Sequence, residues 1–228
     1  DAVDAVPFKP VATREVGGSW GDAEALYEAC GKTVPIEKIC PLRFALPLAP
    51  TIAARHEGID PDMNLARGVL AHLLEKHQVV IVEGIGGALV PLDSQTLVID
   101  FAVQVGLPVL VVCRASLGTI NHTLLTIREV ERSKLRVAGI IMNITAPMDA
   151  HIASSSKEEI ERLSGCKVVA TIPYIGGSTE AEAPPRTEFI ARAVAALSEQ
   201  ISVKTLLGCE GSSKSKISQR FRRRRATD

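Results

Sequence analysis

The chain has 228 residues, 46% of them hydrophobic but only 4% aromatic: enough apolar side chain for one sizeable α/β core, and too few rings for an aromatic-rich β-sandwich. No apolar run reaches the roughly 18 residues that span a bilayer, the start lacks a signal-peptide pattern, and five scattered cysteines without a CxxC pair point away from a zinc site or disulfide framework, so a soluble cytoplasmic protein is expected. The formal charge of zero hides an asymmetry, because the last 25 residues carry eight Lys/Arg against two Asp/Glu; residues 201–228, with GSSKSKISQRFRRRR, read as a disordered basic tail without a nucleic-acid role, and residues 1–200 as a single domain.

In chain order, Val6–Val11 is an extended start and Asp22–Cys30 a helical run that stops at Gly31. The Pro-rich stretch Cys40–Gly58 reads as a long connection. Asp60 and Pro61 supply a cap and a first-turn proline to a helix on which Leu65, Val69, Leu70, Leu73 and Leu74 recur at helical spacing. Val79–Val82 is a strand, Leu97–Val105 a helix, and Pro108–Cys113 a strand apolar enough to be covered on both faces. A helix over Ile120–Arg132, a strand over Val137–Met142, a helix over His151–Leu163 and a strand over Val168–Ile172 follow. Thr187 caps a closing helix to about Leu197. This alternation predicts an α/β fold: a mostly parallel sheet in three layers, with helices on both faces.

Ligands in such sheets bind beyond the carboxyl ends of the strands, so the residues after each apolar run are the candidates. Val79–Val82 delivers one carboxylate, Glu83, into a turn with three glycines in four positions. A carboxylate there can hold Mg²⁺, and the glycines let backbone amides approach phosphate; a tight turn with a solvated Glu is the plain alternative. After Cys113, Gly118 and Thr119 open a helix whose free amides suit an anion, or Thr119 is an ordinary N-cap. Asn143 and Pro173-Tyr174-Ile175 leave their strands where an adenine could sit, or are ordinary strand exits. Lys9 suits a transferring phosphoryl group and Thr13 a substrate oxygen, unless Lys9 is an exposed lysine beside a turn proline. Asp22 is either a helix cap or a second acidic metal contact with Glu83. His122, at a helix start, has no proton-transfer role.

Taken together, FKPVAT, GDAEAL, VVIVEGIGGALVPL, LPVLVVCRASLGTINHTLLTI, VAGIIMN and TIPYI, in this order across Val6 to Leu197, resemble the dethiobiotin synthetase family. The resemblance implies a P-loop NTPase-like fold, a cytoplasmic homodimer, and ATP- and Mg²⁺-dependent ring closure of 7,8-diaminononanoate with CO₂ through a phosphorylated carbamate. It implies Lys9 as the catalytic lysine, Thr13 at the diamine or carbamate, and Asp22 and Glu83 holding Mg²⁺ and ATP. It further implies Gly84, Ile85 and Gly86 against the nucleotide, and Asn143, Ile144, Pro173, Tyr174, Ile175 and Glu180 around the adenosine. Leu117, Gly118, Thr119, Ile120 and Asn121 would receive the substrate carboxylate.

The family's motif G-x-x-x-x-G-K-[ST] does not occur in these 228 residues, and Gly31-Lys32-Thr33 reads as a helix exit. The expectation is therefore an N-terminally incomplete domain whose first strand and phosphate-loop helix are missing, with the activity of the chain itself left open. Two other readings stay open: a non-catalytic diamine-binding or assembly paralogue, and a related ATP-dependent amide-forming synthetase, which would need a nucleophilic cysteine.

Overall fold

The computed structural model describes residues 3–176 and 184–201, so Glu180 and nearly all of the basic tail lie outside the described residues. The backbone parts into two compact units, one containing the described residues up to Val105, the other those from Gly106 onward.

The first unit runs β1 (Ala5–Phe8), β2 (Val11–Ala12), β3 (Glu15–Val16), β4 (Ser19–Trp20), α1 (Gly21–Ala29), α2 (Ile36–Ile39), β5 (Leu42–Arg43), α3 (Pro50–Glu57), α4 (Met63–Lys76), β6 (Val79–Val82) and α5 (Val98–Val105). Strand β1 pairs in parallel with β6, Ala5 opposite Val79 and Phe8 opposite Val82. Strand β2 pairs in parallel with β5, while β3 and β4 form a small antiparallel hairpin. Val6, Phe8, Ile39, Leu70 and Leu73 are buried, and each large apolar side chain so buried contributes about 1.5–3 kcal/mol.

Several boundaries differ from expectation for identifiable reasons. Cys40–Gly58 is not simply a connection. Pro50 occupies the first turn of α3, where its missing N–H costs nothing, and Gly58 ends that helix in the left-handed conformation at φ 67°. Helix α4 is capped by Asp62, not by Asp60, because the Asp62 carboxylate accepts from the Asn64 and Leu65 amides at 2.9 and 3.1 Å. Gly31 sits just past α1 at φ 64°, so Gly31-Lys32-Thr33 is a helix exit.

The second unit runs β7 (Val109–Arg114), α6 (Thr119–Arg132), β8 (Val137–Asn143), α7 (Ala150–Ser164), β9 (Val168–Ile172) and α8 (Arg186–Gln200). Its sheet is parallel throughout, in the order β7-β8-β9, with a helix crossing between successive strands as parallel pairing requires. Val111, Cys113, Ile140, Met142 and Val168 form its core with Ile127 of α6 and Ile160 of α7. Gly139 is needed in β8, since a Cβ there would lie 2.8 Å from Val169 Cγ1. The amide of Gln200 closes the free edge of β9, accepting from Thr171 N at 2.9 Å and donating to Thr171 O at 2.8 Å.

Strand β7 is not covered on both faces, since Val112 is 62% exposed. Thr187 does not cap the last helix, because Pro185 takes the cap position and Thr187 falls inside the first turn. The α/β class with parallel strands stands as read from the sequence.

Candidate active site

Parallel register builds the first cluster. Phe8 lies opposite Val82, so the next residue of each strand, Lys9 and Glu83, leave the strand ends side by side. The Glu83 amide donates to Phe8 O at 2.8 Å and the Lys9 amide to Ile39 O at 2.8 Å, fixing both backbones. Lys9 is 2% exposed, and a buried ammonium is tolerated only when its hydrogens are met. Its Nζ donates to Glu83 Oε1 at 2.7 Å and to Gly84 O at 3.1 Å, and Asp22 Oδ2 stands 3.4 Å away. The carboxylates themselves stay accessible, at 49% exposure for Glu83 and 67% for Asp22. One side of the cluster is thus a buried cation and the other two carboxylates with lone pairs open to a ligand.

Behind Lys9 lies Cys40, fully buried with Ala12 and Ala23. Burial pushes its thiol up to about 12; the positive charges of Lys9 and Arg43 oppose that shift, and Asp22 and Glu83 add to it. The glycine turn after β6 is demanded by sterics. Gly86 has φ 65°, and a Cβ there would come 2.9 Å from Val90 Cγ2; a Cβ on Gly84 would meet Val98 Cγ1 at 3.0 Å. Ile85 and Thr13 are half-buried nearby in sequence, Thr13 directly after β2.

The second unit holds a cavity of about 410 Å³ at the carboxyl ends of β8 and β9. Asn143 and Ile144 line one side, and Pro173, Tyr174 and Ile175 another, which brings the two expected groups together. The Ile144 amide donates to Ile172 O at 3.0 Å and holds the two exits in register. Thr145, Gly176, Pro184 and Phe189 of α8 also line it and were not expected. Nothing local marks Phe189, whose ring reaches the cavity only because α8 folds back along β9.

In the same unit, α6 begins at Gly118 (φ 90°), so Gly118 and not Thr119 is the cap. The His122 ring packs over that glycine, with Cε1 3.2 Å from where a Cβ would be. Thr119 Oγ1 is buried and, like Thr123 Oγ1, has no hydrogen-bond partner among the described residues. Leu117 is fully exposed, Ile120 half-buried and Asn121 exposed.

Residues 2–182 match the family model described as an AAA domain. The ATP-dependent dethiobiotin synthetase BioD of Anaeromyxobacter dehalogenans (strain 2CP-C) is 47% identical over 174 residues, which cover 75% of this chain and 77% of that protein. The chain belongs to the dethiobiotin synthetase family. A more distant relative, the ATP-dependent dethiobiotin synthetase BioD of Bacillus cereus (strain B4264), is 36% identical over 171 residues, 75% of this chain and 71% of its own. Among solved structures, a ParA family ATPase from Chlorobium tepidum TLS aligns over 97% of this chain and 85% of its own at a TM-score of 0.44 and 12% identity, a likeness too slight to add to the fold already described.

Membership in a family of ATP-dependent synthetases raises the matter of Mg²⁺. Among the described residues no group of three or more His, Cys, Asp and Glu converges as a full protein cage. A Mg²⁺ ion needs none: it keeps several waters and is bound through one or two carboxylates together with phosphate oxygens. Asp22 and Glu83, meeting at one ammonium while exposed on their outer sides, fit that donor set.

Proposed function

We propose that this synthetase-family chain closes the ureido ring of dethiobiotin from 7,8-diaminononanoate, CO₂ and ATP, with Lys9 as its catalytic residue. The observation that carries the reading is a fully buried ammonium flanked by two accessible carboxylates at the end of a parallel strand pair. One amine of the diamine takes up CO₂ as a carbamate, and a carbamate oxygen attacks the γ-phosphorus of ATP, releasing ADP. The second amine then attacks the carbamoyl carbon, and phosphate leaves as the ring closes.

Lys9 acts at the first transfer, where negative charge spreads over the γ-phosphoryl oxygens; a preoriented ammonium that is already out of water stabilises that charge without reorganising. Mg²⁺, when bound by Asp22 and Glu83, supplies further charge neutralisation. Thr13 contacts the diamine or carbamate. Gly84, Ile85 and Gly86 approach the nucleotide, and Asn143, Ile144, Pro173, Tyr174, Ile175 and Glu180 surround its adenosine, with Phe189 as an added stacking face. The start of α6, from Leu117 to Asn121, takes the substrate carboxylate, with the unpaired Thr119 hydroxyl as a donor. Residues 1–200 work as the enzyme domain of a cytoplasmic homodimer, and residues 201–228 as an appended tail; no described helix is long and apolar enough to cross a membrane.

An amide-forming enzyme using Cys40 or Cys166 as its nucleophile is disfavoured by chemistry. Activated thiols have lowered pKa values, whereas burial raises those of Cys40 and Cys166.

The test is Mg·ATP- and bicarbonate-dependent conversion of 7,8-diaminononanoate to dethiobiotin, read by mass. It is run with the 228-residue chain and with a version extended by a relative's first strand, phosphate loop and helix. Product from either, abolished by Lys9→Ala, supports the proposal; no product from the extended version sinks it.

A further inference from the structure

Beside Lys9 the chain carries a second cation that none of these roles uses. Arg43, half-buried on β5, lies with its guanidinium carbon 5.3 Å from the centroid of the Trp20 ring. The ring is itself pinned, since Trp20 Nε1 donates to Phe44 O at 2.8 Å. Strand pairing sets Arg43 opposite Ala12, and the Phe44 amide donates to Ala12 O at 2.9 Å, so the arginine stands one residue before Thr13 in register. Ala12, Ala23 of α1 and Cys40 pack together with Trp20 against them, and Arg43 lies over the Trp20 ring; Asp22, next to Ala23 in α1, faces Lys9. The Cys40 thiol accordingly senses Lys9, Arg43, Asp22 and Glu83 together.

Among the described residues Arg43 has this ring contact and no carboxylate or carbonyl partner. Its neighbourhood contrasts with that of Lys9, two of whose three ammonium hydrogens are bonded to Glu83 and the Gly84 carbonyl. A guanidinium stacked on an aromatic face keeps its in-plane N–H fork free, and that fork matches two oxygens of a carboxylate or phosphoryl group. The indole attracts the guanidinium at 5.3 Å and so narrows the positions it samples before any ligand arrives, which reduces the rotamer entropy lost on binding.

We propose that Arg43, held over Trp20, is a second anchor of the Lys9 site and binds an oxyanion through its paired N–H groups. The choice of anion, carbamate carboxylate or phosphoryl group, rests on the proposed function; the oxyanion site itself does not. Arg43 grips the anion and Lys9 meets the charge that develops on it, which makes Arg43 a binding and specificity residue of the same cluster.

Trp20 is the sole tryptophan of the chain, so its emission reports on the contact directly. The purified chain is titrated at constant ionic strength with inorganic phosphate, with bicarbonate, and with 7,8-diaminononanoate plus bicarbonate, against chloride. A saturable change with phosphate but not with the diamine and bicarbonate names a phosphoryl group as the ligand, and the reverse names the carbamate. Arg43→Gln weakens that binding by about tenfold or more and Arg43→Lys by a few-fold, as expected for losing a bidentate charged contact. Both variants keep the melting temperature within a few degrees, which separates anion binding from a structural role. No saturable change in the unaltered chain overturns the proposal, as does Arg43→Gln binding as tightly as the parent; if that variant unfolds, Arg43→Lys binding as tightly as the parent decides against it equally. Failure of dethiobiotin formation, with Arg43-dependent oxyanion binding retained, refutes the proposed reaction and leaves the anchor standing.

Discussion

Replacing Lys9 by methionine and by alanine separates what its charge does from what its stem does. Methionine keeps nearly the volume of the stem, so it removes the ammonium without opening a hole. What it leaves behind are Glu83 and Asp22, both exposed enough to remain hydrated, and the Gly84 carbonyl, which loses its donor at 3.1 Å. One-sided removal of a buried pair costs about 3–5 kcal/mol when the surviving charge is buried, but these survivors are in water and the pair term shrinks toward about 0–1 kcal/mol. Adding about 1 kcal/mol for the carbonyl gives a loss of about 1–2 kcal/mol for Lys9→Met. Lys9→Ala adds a cavity in a site that is 2% exposed, a further penalty of about 2–3 kcal/mol. With a urea slope of about 2 kcal/mol/M, the midpoint falls by about 0.5–1 M for methionine and by about 1.5–2.5 M for alanine. Urea unfolding at pH 7, followed by Trp20 emission, measures both. Equal losses in the two variants would refute the reasoning, because the ammonium would then be holding the fold together instead of standing ready for a ligand. With the expected split, Lys9→Met is the variant whose activity loss reads the charge alone.

The Cys40 thiol, pushed by burial from 9.0 to about 12, is protonated in the folded chain well above ordinary pH. The raised value stabilises the fold fully below about pH 9, and the contribution is lost as the pH rises from there through about 12. At pH 8 a thiolate fraction on the order of 10⁻⁴ follows, so iodoacetamide should label Cys40 only after unfolding; rapid labelling of the folded chain, located by peptide mass, would show the thiol to be accessible. Gly86→Ala should cost about 1–3 kcal/mol in urea unfolding, from φ 65° and the 2.9 Å approach to Val90 Cγ2, with Val90→Ala relieving only the contact part. Leu117→Glu should shift the proposed homodimer toward monomer in light scattering at micromolar concentration, since a fully exposed leucine at the head of α6 is suited to burial by a second copy. Limited trypsin digestion should leave a core ending near residue 200, and a first cut deep within α4 or α7 would contradict the division into domain and tail.

Local patterns were enough for much of the fold. The apolar runs at Val79–Val82 and Val168–Ile172 are strands at the expected bounds, and the helices over α1, α5, α6 and α7 fall within a few residues, because periodicity and β-branched content act over a few neighbours. The candidate residues Lys9, Glu83, Asn143 and Tyr174 were legible because ligands gather at strand ends, and strand ends are written locally. Helix α3 was missed because the prolines of Cys40–Gly58 read as a break, although Pro50 stands where a helix tolerates it. The hairpin of β3 and β4 was missed because two-residue strands carry no alternation.

Short-range pattern sets which segments are strands and helices and which side chains leave them. Packing sets who meets whom: Lys9 with Glu83, 74 positions away, Arg43 with Trp20, and Phe189 with Asn143 and Tyr174. Conformation is chosen by neighbours along the chain, whereas register and side-chain contact are chosen by which apolar faces pack, a choice made among residues far apart in sequence.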